Sequence, residues 1–314
     1  MPDILTVTLN PALDLATSAP KVEPGAKLRC APASAEPGGG GVNVARAVAI
    51  MGGSARAMVA LGGPNGQALA GLLAKEGVEV VEVAAPGETR LSFAVTDDRD
   101  GSQYRFVLPG PQWTQDQLDA LLSRLAAEAA PGAFVVLSGS LPPGAPDDFM
   151  ARATTALGPD RHVIADTSGR PLAALSEGGS AAPDVLRMDS HEAEELAGTS
   201  LPTAEDSADF AASLVARGAG RRVIVARGAE GSVMVGPEGR WKVSATNDSV
   251  VSAIGAGDSF VGGFVLGLSR GDSYPEALKL GAAAASSAVM TEGTQLCRRE
   301  DVERLFAVTS LTQL

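Results

Sequence analysis

Short apolar, β-branched runs alternate with amphipathic stretches along most of the chain. "DILTVTLNP" at the start reads as a buried strand, and "GVNVARAVAIMG" carries apolar residues at helical spacing and stops at a glycine. "ARAMVAL" is strand-like, "NGQALAGLLAKEG" is a helix with a glycine stop, and "VEVVEV" is again a strand. "TQDQLDALLSRLAAEA" is an amphipathic helix, and "AFVVLSG", "RHVIAD", "DVLRMD" and "RRVIVARG" continue the series of short buried strands. Strand and helix in alternation predict an α/β fold of three layers, a mostly parallel sheet with helices on both faces. Ligands in such sheets gather at the carboxyl ends of the strands. The loops after "VVLSG", "LRMD" and "VIVARG", together with the "IGAGD" loop, are therefore expected to converge on one side.

One region departs from this rhythm. Thr89 to Gly110, "TRLSFAVTDDRDGSQYRFVLPG", alternates with period two on both sides of an Asp-Gly turn, the mark of a hairpin. Gly25 to Gly38, "GAKLRCAPASAEPG", also reads as extended. These pieces predict a small β lid, formed by about 12–37 and 88–110, on one α/β domain covering 1–314.

Composition supports a large core, with 45% hydrophobic residues in 314. Formal net charge is −12, with no cluster of lysine or arginine, which argues against nucleic acid as a partner. An anionic ligand then needs a few local cations, because the global field repels it. The two cysteines, Cys30 and Cys297, are far apart, which points to a reducing compartment and away from disulfides or a zinc site. With no secretory signal and no apolar run near ~18 residues, a cytoplasmic protein with no membrane contact is expected.

Candidate chemistry sits in two glycine loops. In "IGAGDSFV", Ile254 to Val261, the residues Gly255, Ala256 and Gly257 open a helix and Asp258 follows at once. Free N–H groups and the positive end of the helix dipole make such a loop an anion site, with a carboxylate at its rim. In "EPGGGGVNVARA", Glu36 to Ala47, four glycines lead into a helix and Asn43 faces out of its first turn. Glycine lets backbone approach a ligand closely, and the loop fits neither a P-loop nor GxGxxG. Arg90 and Arg105, on opposite arms of the hairpin, would be close enough to share an anion, and a phosphate matches their donor geometry. Lys27 and Arg29 add charge nearby, Asp14 follows the first strand, and Ser138 ends the strand "FVVLS" with its hydroxyl expected in the same crevice. His162 and His191 fit no catalytic or metal pattern, and His191 reads as the first turn of a helix capped by Asp189 or Ser190.

Together these motifs resemble the ribokinase-like carbohydrate kinases over nearly the whole chain. "VTLNPALDLA", "KLRC", "EPGGGG", "QYRFVLPG", "LSGSLPPG" and "GTQLC" are most similar to the phosphosugar branch of minor bacterial 6-phosphofructokinases. Tagatose-6-phosphate kinases and 1-phosphofructokinases are near relatives. The resemblance implies ATP-dependent phosphorylation of a ketohexose phosphate, with fructose 6-phosphate first. It makes Asp258 the base, and Gly255, Ala256 and Gly257 the cradle for charge on the transferred group. Asp14, Gly39, Gly40 and Asn43 would hold sugar hydroxyls, with Lys27, Arg90, Arg105 and Ser138 also on the substrate. Arg187, Asp189, Arg227, Gly228 and Gly231 would meet the nucleotide. Magnesium would accompany ATP, held through water by Glu192, and Ser252, Ile254 and Gly293 match a stretch that binds a monovalent cation, potassium, in relatives. A homodimer through the lid is implied. The nucleotide half departs from the pattern: Arg187-Met188-Asp189 replaces Lys-Pro-Asn, Ala226-Arg227 replaces a hydroxyl residue and leucine, and Ala253 replaces threonine. These changes leave a different donor, or a weakly active phosphosugar-binding protein, as alternatives.

Overall fold

The computed structural model describes residues 2–179, 181–247 and 249–314. The first elements are β1 (Ile4–Thr8), β2 (Ala12–Ala19), β3 (Ser34–Gly38), α1 (Gly40–Ile50), β4 (Arg56–Leu61), α2 (Gly63–Lys75) and β5 (Glu79–Ala84). Next come β6 (Arg90–Asp97), β7 (Gln103–Val107), α3 (Gln115–Glu128), β8 (Phe134–Ser138), α4 (Phe149–Leu157), β9 (His162–Asp166) and α5 (Gly169–Ser176). They are followed by β10 (Val185–Asp189), α6 (Ser190–Ala197), α7 (Ala204–Arg217), β11 (Arg222–Ala226), β12 (Ser232–Gly236) and β13 (Gly239–Val243). The last are α8 (Ala256–Arg270), α9 (Tyr274–Ala288), α10 (Arg299–Val308) and β14 (Leu311–Gln313).

Ten strands form the main sheet in the order β14-β13-β12-β11-β10-β9-β8-β1-β4-β5. Every pairing from β11 through β5 is parallel, and β12, β13 and β14 add an antiparallel edge. β1 shows why its sequence suits the centre: all five residues are buried. Ile4 points into the core beneath α1, α8 and α9, while Leu5 and Val7 point into the core beneath α3, α4 and α7. The first core is built around Val42, Val44, Phe260 and Phe264, and the second around Leu118, Leu125, Phe149 and Leu157. Local signals agree with this packing. Thr114 caps α3 and Thr203 caps α7, each exchanging hydrogen bonds with the residue three positions on.

A second sheet of four strands, β3-β2-β6-β7, falls in the two spans expected to form the lid. The hairpin forms as β6 and β7, but β2 pairs with β6 in parallel, joining segments distant in sequence. Asp14 therefore lies within this sheet. No helix among the described residues is long and apolar enough to cross a membrane.

Candidate active site

Gly255 caps α8 in the left-handed conformation, φ 76°, which a side chain would strain. The first helical bond runs from Ser259 N–H to the Gly255 carbonyl at 2.9 Å. The amides of Ala256, Gly257 and Asp258 thus lack partners within the helix, and Asp258 sits in its first turn. Asn43 Nδ2 donates to Asp258 Oδ2 at 2.9 Å. Burial pushes the Asp258 carboxyl up to about 7, with Asp166 adding to the rise. The Asn43 hydrogen bond, Arg187 and Arg46 offset only part of it. A carboxylate poised near neutrality is suited to take a proton from a hydroxyl.

The four-glycine loop rests directly on the ends of β1 and β8. Gly39 has φ 124°, and a Cβ on Gly40 would run into Ser138 Oγ and lie 2.8 Å from Gly139 N. Val42 N–H donates to Thr8 Oγ1 at 2.8 Å, fixing the start of α1. This packing corrects the expectation for Ser138. Its hydroxyl is buried under the loop and donates to Asp166 Oδ2 at 3.3 Å, so it supports Gly40 and does not line the crevice.

A cavity of about 220 Å³ lies between this loop, α8 and the small sheet. Asp14, Gly39, Gly40, Asn43, Arg90, Arg105, Ile254 and Asp258 all line it. Strand register explains the gathering: Asp14 stands level with Ser92, Ala12 with Arg90, and Ala94 with Arg105. The two arginines are offset along the sheet and reach the cavity from either side of Ser92. Arg90 is braced by its Nε donating to the Asn10 carbonyl at 3.1 Å. The Asp14 carboxyl is pushed up by burial, against the pull of Ser92, Arg90 and Arg105. Lys27 and Arg29 lie on the exposed connection between β2 and β3 and line no part of this cavity.

The neighbouring strand ends carry the nucleotide candidates. Arg187, on β10, donates to Asp166 Oδ1 at 3.0 Å and lies 5.9 Å from the Phe260 ring centre. A Cβ on Gly257 would meet its guanidinium at 3.0 Å, so the cation sits against the anion loop. Burial opposes its charge, yet Asp166, then Glu192 and Asp258, raise its pKa. Its Nε is buried with no partner. Asp189 caps α6: its Oδ1 accepts from Glu192 N–H at 2.9 Å, and Glu192 Oε2 accepts from Asp189 N–H at 2.8 Å. Each carboxylate keeps one oxygen outside this exchange. Arg227 must be corrected. Its guanidinium is buried against the loop before α7, donating to the carbonyls of Leu201 and Pro202, to Ser207 Oγ and to Glu230. It has no donor left for a phosphate. Gly228 and Gly231 flank a short turn after β11, both with positive φ.

With this geometry in place, the chain's likeness to known proteins decides the family. Residues 8–301 match the model described as the pfkB family carbohydrate kinase. The chain belongs to that family. It is 39% identical over 310 residues to the ATP-dependent 6-phosphofructokinase isozyme 2 of Mycobacterium tuberculosis, covering 98% of this chain and 90% of the relative. The Escherichia coli isozyme 2 is 37% identical over 308 residues, 98% and 99% covered, and the 1-phosphofructokinase of Bacillus subtilis is 28% identical over 312, 99% and 100% covered. The E. coli phosphofructokinase-2 solved in complex with potassium superposes with a TM-score of 0.91, covering 98% of this chain and 99% of that one.

Ser252 Oγ donates to the Gly293 carbonyl at 3.0 Å and accepts from Ile254 N–H at 3.2 Å, so that segment comes together beside the anion loop. Four residues at or against the cavity were not singled out from the sequence: Asp166, Arg46, Glu36 and Ser92. Asp166 ends the strand "RHVIAD" on the ligand side of the sheet, and Arg46 stands one helical turn after Asn43, so both signals were present.

Proposed function

We propose that the protein transfers the γ-phosphoryl group of ATP to the 1-hydroxyl of fructose 6-phosphate, giving fructose 1,6-bisphosphate and ADP. The observation that carries this reading is the shared cavity, with the base Asp258 on one wall and Arg90 and Arg105 on another. The arginines bind the phosphate already on the sugar, while Asp14, Asn43 and the backbone of Gly39 and Gly40 hold its hydroxyls. Asp258 takes the hydroxyl proton as the sugar oxygen bonds to phosphorus and the bond from phosphorus to the ADP oxygen breaks. The amides of Gly255, Ala256 and Gly257 face the charge on the transferred group.

Arg187, with its unpartnered Nε, suits the ATP phosphates, and Asp189, Gly228 and Gly231 border the nucleotide. Asp166 contacts that guanidinium and the charges of Glu192 and Asp258 act on it, an excess of negative charge that fits a divalent cation entering with the nucleotide. Glu192 would hold magnesium through water by its outward oxygen, and burial keeps its carboxyl raised. Magnesium supplies charge neutralisation on the phosphates. Ser252, Ile254 and Gly293 would hold potassium beside the loop.

The small sheet acts as a lid and, through its outer face, as a dimer contact. Tyr104 and Phe106, 40% and 54% exposed, alternate away from Arg105 and Val107, presenting apolar area that a second copy would cover. Lys27 then meets substrate only if a second copy presents it. The same reading assigns the protein to the cytoplasm. Steady-state rates with fructose 6-phosphate, tagatose 6-phosphate, fructose 1-phosphate and fructose test the substrate. The highest kcat/KM is expected for fructose 6-phosphate; preference for fructose 1-phosphate would transfer the chain to the 1-phosphofructokinase activity.

A further inference from the structure

Arg46 stands where three parts of the molecule meet. It follows Asn43 by three residues on α1, so the two side chains are neighbours on one helix face. Its Nη1 donates to Asn43 Oδ1 and to the Pro37 carbonyl of β3, both at 3.2 Å. Its Nε and Nη2 grip Glu76, just past α2, at 2.6 and 3.0 Å. The side chain is 10% exposed.

We propose that Arg46 is a positioning residue for phosphoryl transfer, holding the Asn43 amide in the one orientation that presents Nδ2 to Asp258. An asparagine amide fits its site either way round unless its neighbours discriminate. Arginine has only donors, so the end facing Arg46 must be the oxygen, and the end facing Asp258 is then the nitrogen. Asp258 Oδ2 is occupied as a result, leaving Oδ1 for the substrate hydroxyl. Glu76 is the anchor that keeps the guanidinium off Asp258 itself, where a direct ion pair would quench the base. The Pro37 contact ties the root of the small sheet to the same group, so sheet and base are aligned by one cation.

The charged groups facing Asp258 are Asp166 from β9, Arg187 from β10 and Arg46 from α1; those facing Arg46 are Glu76 and Glu36. Arg46→Met removes one of the two cations near Asp258, so the acid limb of kcat/KM moves to higher pH. Arg46→Lys keeps the charge but lacks the fork to hold Glu76 and Asn43 together, and restores part of the rate.

The turnover arm of the test rests on the kinase reading, so wild-type turnover of fructose 6-phosphate is measured first; its absence counts against that reading alone. The decisive experiment is a cycle of Arg46→Met, Asn43→Ala and the double variant. Arg46→Met alone is expected to lower kcat about tenfold or more, and to cost less than about threefold once Asn43 is alanine. Losses that multiply would overturn the proposal, since Arg46 would then act independently of Asn43. If Arg46→Met does not fold, Arg46→Lys takes its place in the cycle. An arm without turnover follows the Asn43 side-chain amide by nitrogen–proton NMR. Its resonances are expected to titrate with Asp258 in the wild type and to lose that dependence in the variant; unchanged titration also overturns the proposal.

Discussion

Replacing Asp258 by asparagine should abolish turnover and stabilise the fold, by an amount that grows with pH. The folded carboxyl is raised from 3.8 to about 7, so folding favours its protonated form. Well below pH 3.8 the group is neutral in both folded and unfolded states and costs nothing. Between pH 4 and 7 the unfolded chain ionises while the folded one resists, so stability is lost as pH rises, and above 7 the loss is constant. At 1.36 kcal/mol per unit, a shift of roughly 3 units costs about 4 kcal/mol in full, of which about 1–2 kcal/mol is already lost at pH 5. Asp258→Asn cannot ionise and can still accept the Asn43 hydrogen bond. Its advantage over the wild type should therefore grow by about 3 kcal/mol between pH 5 and pH 8, roughly 4–5 °C in melting temperature. Urea unfolding of both proteins at the two pH values reads this difference directly, because every other titrating group cancels in the comparison. Curves that stay parallel across pH would refute the claim that burial, outweighing the cations and the helix dipole, sets the ionisation of Asp258.

Arg90→Ala and Arg105→Ala should each raise KM for fructose 6-phosphate by about 10–100-fold, from the loss of a charged hydrogen bond of about 1.5–3 kcal/mol. The much slower reaction with unphosphorylated fructose should hardly change; equal losses on both sugars would contradict the phosphate clamp. Gly40→Ala should destabilise the protein by about 1–3 kcal/mol and lower kcat. Adding Ser138→Ala should not restore it, because the Gly139 backbone still blocks the new methyl group; full recovery would show that the hydroxyl alone was the obstacle. Arg227→Met should lower the melting temperature while leaving KM for ATP within about threefold, since its donors serve the loop before α7. A tenfold rise in KM would return Arg227 to the nucleotide.

The main sheet was legible because its strands are short apolar runs whose alternation with helical spacing leaves few topologies. The two glycine loops were equally plain as helix starts, since a run of small residues ahead of an apolar helical pattern is written in a few consecutive residues. What sequence does not carry is direction and long-range pairing. Ser138 does end a strand on the ligand side, but only the contact with Asp166 reveals that its hydroxyl turns under the loop. The resemblance put Arg227 with the nucleotide, whereas the carbonyls that capture it come from a loop 25 and 26 positions earlier. Arg90 and Arg105 were expected to be close across the hairpin; the register instead offsets them and brings Asp14 level with Ser92, through a parallel β2–β6 pairing that no local pattern encodes. Arg46 stands one turn past Asn43, a local signal, but its hold on Glu76, 30 positions away, is not written in the sequence.

The most direct test of the central claim is ADP release with magnesium, ATP and fructose 6-phosphate, by the wild type and by Asp258→Asn, with sugar binding followed by calorimetry. A base that shares its cavity with a phosphate clamp predicts turnover in the wild type and a loss of several orders of magnitude in the variant, with fructose 6-phosphate still bound. Turnover that survives in Asp258→Asn, or a wild type that binds the phosphosugar and releases no ADP, would contradict it.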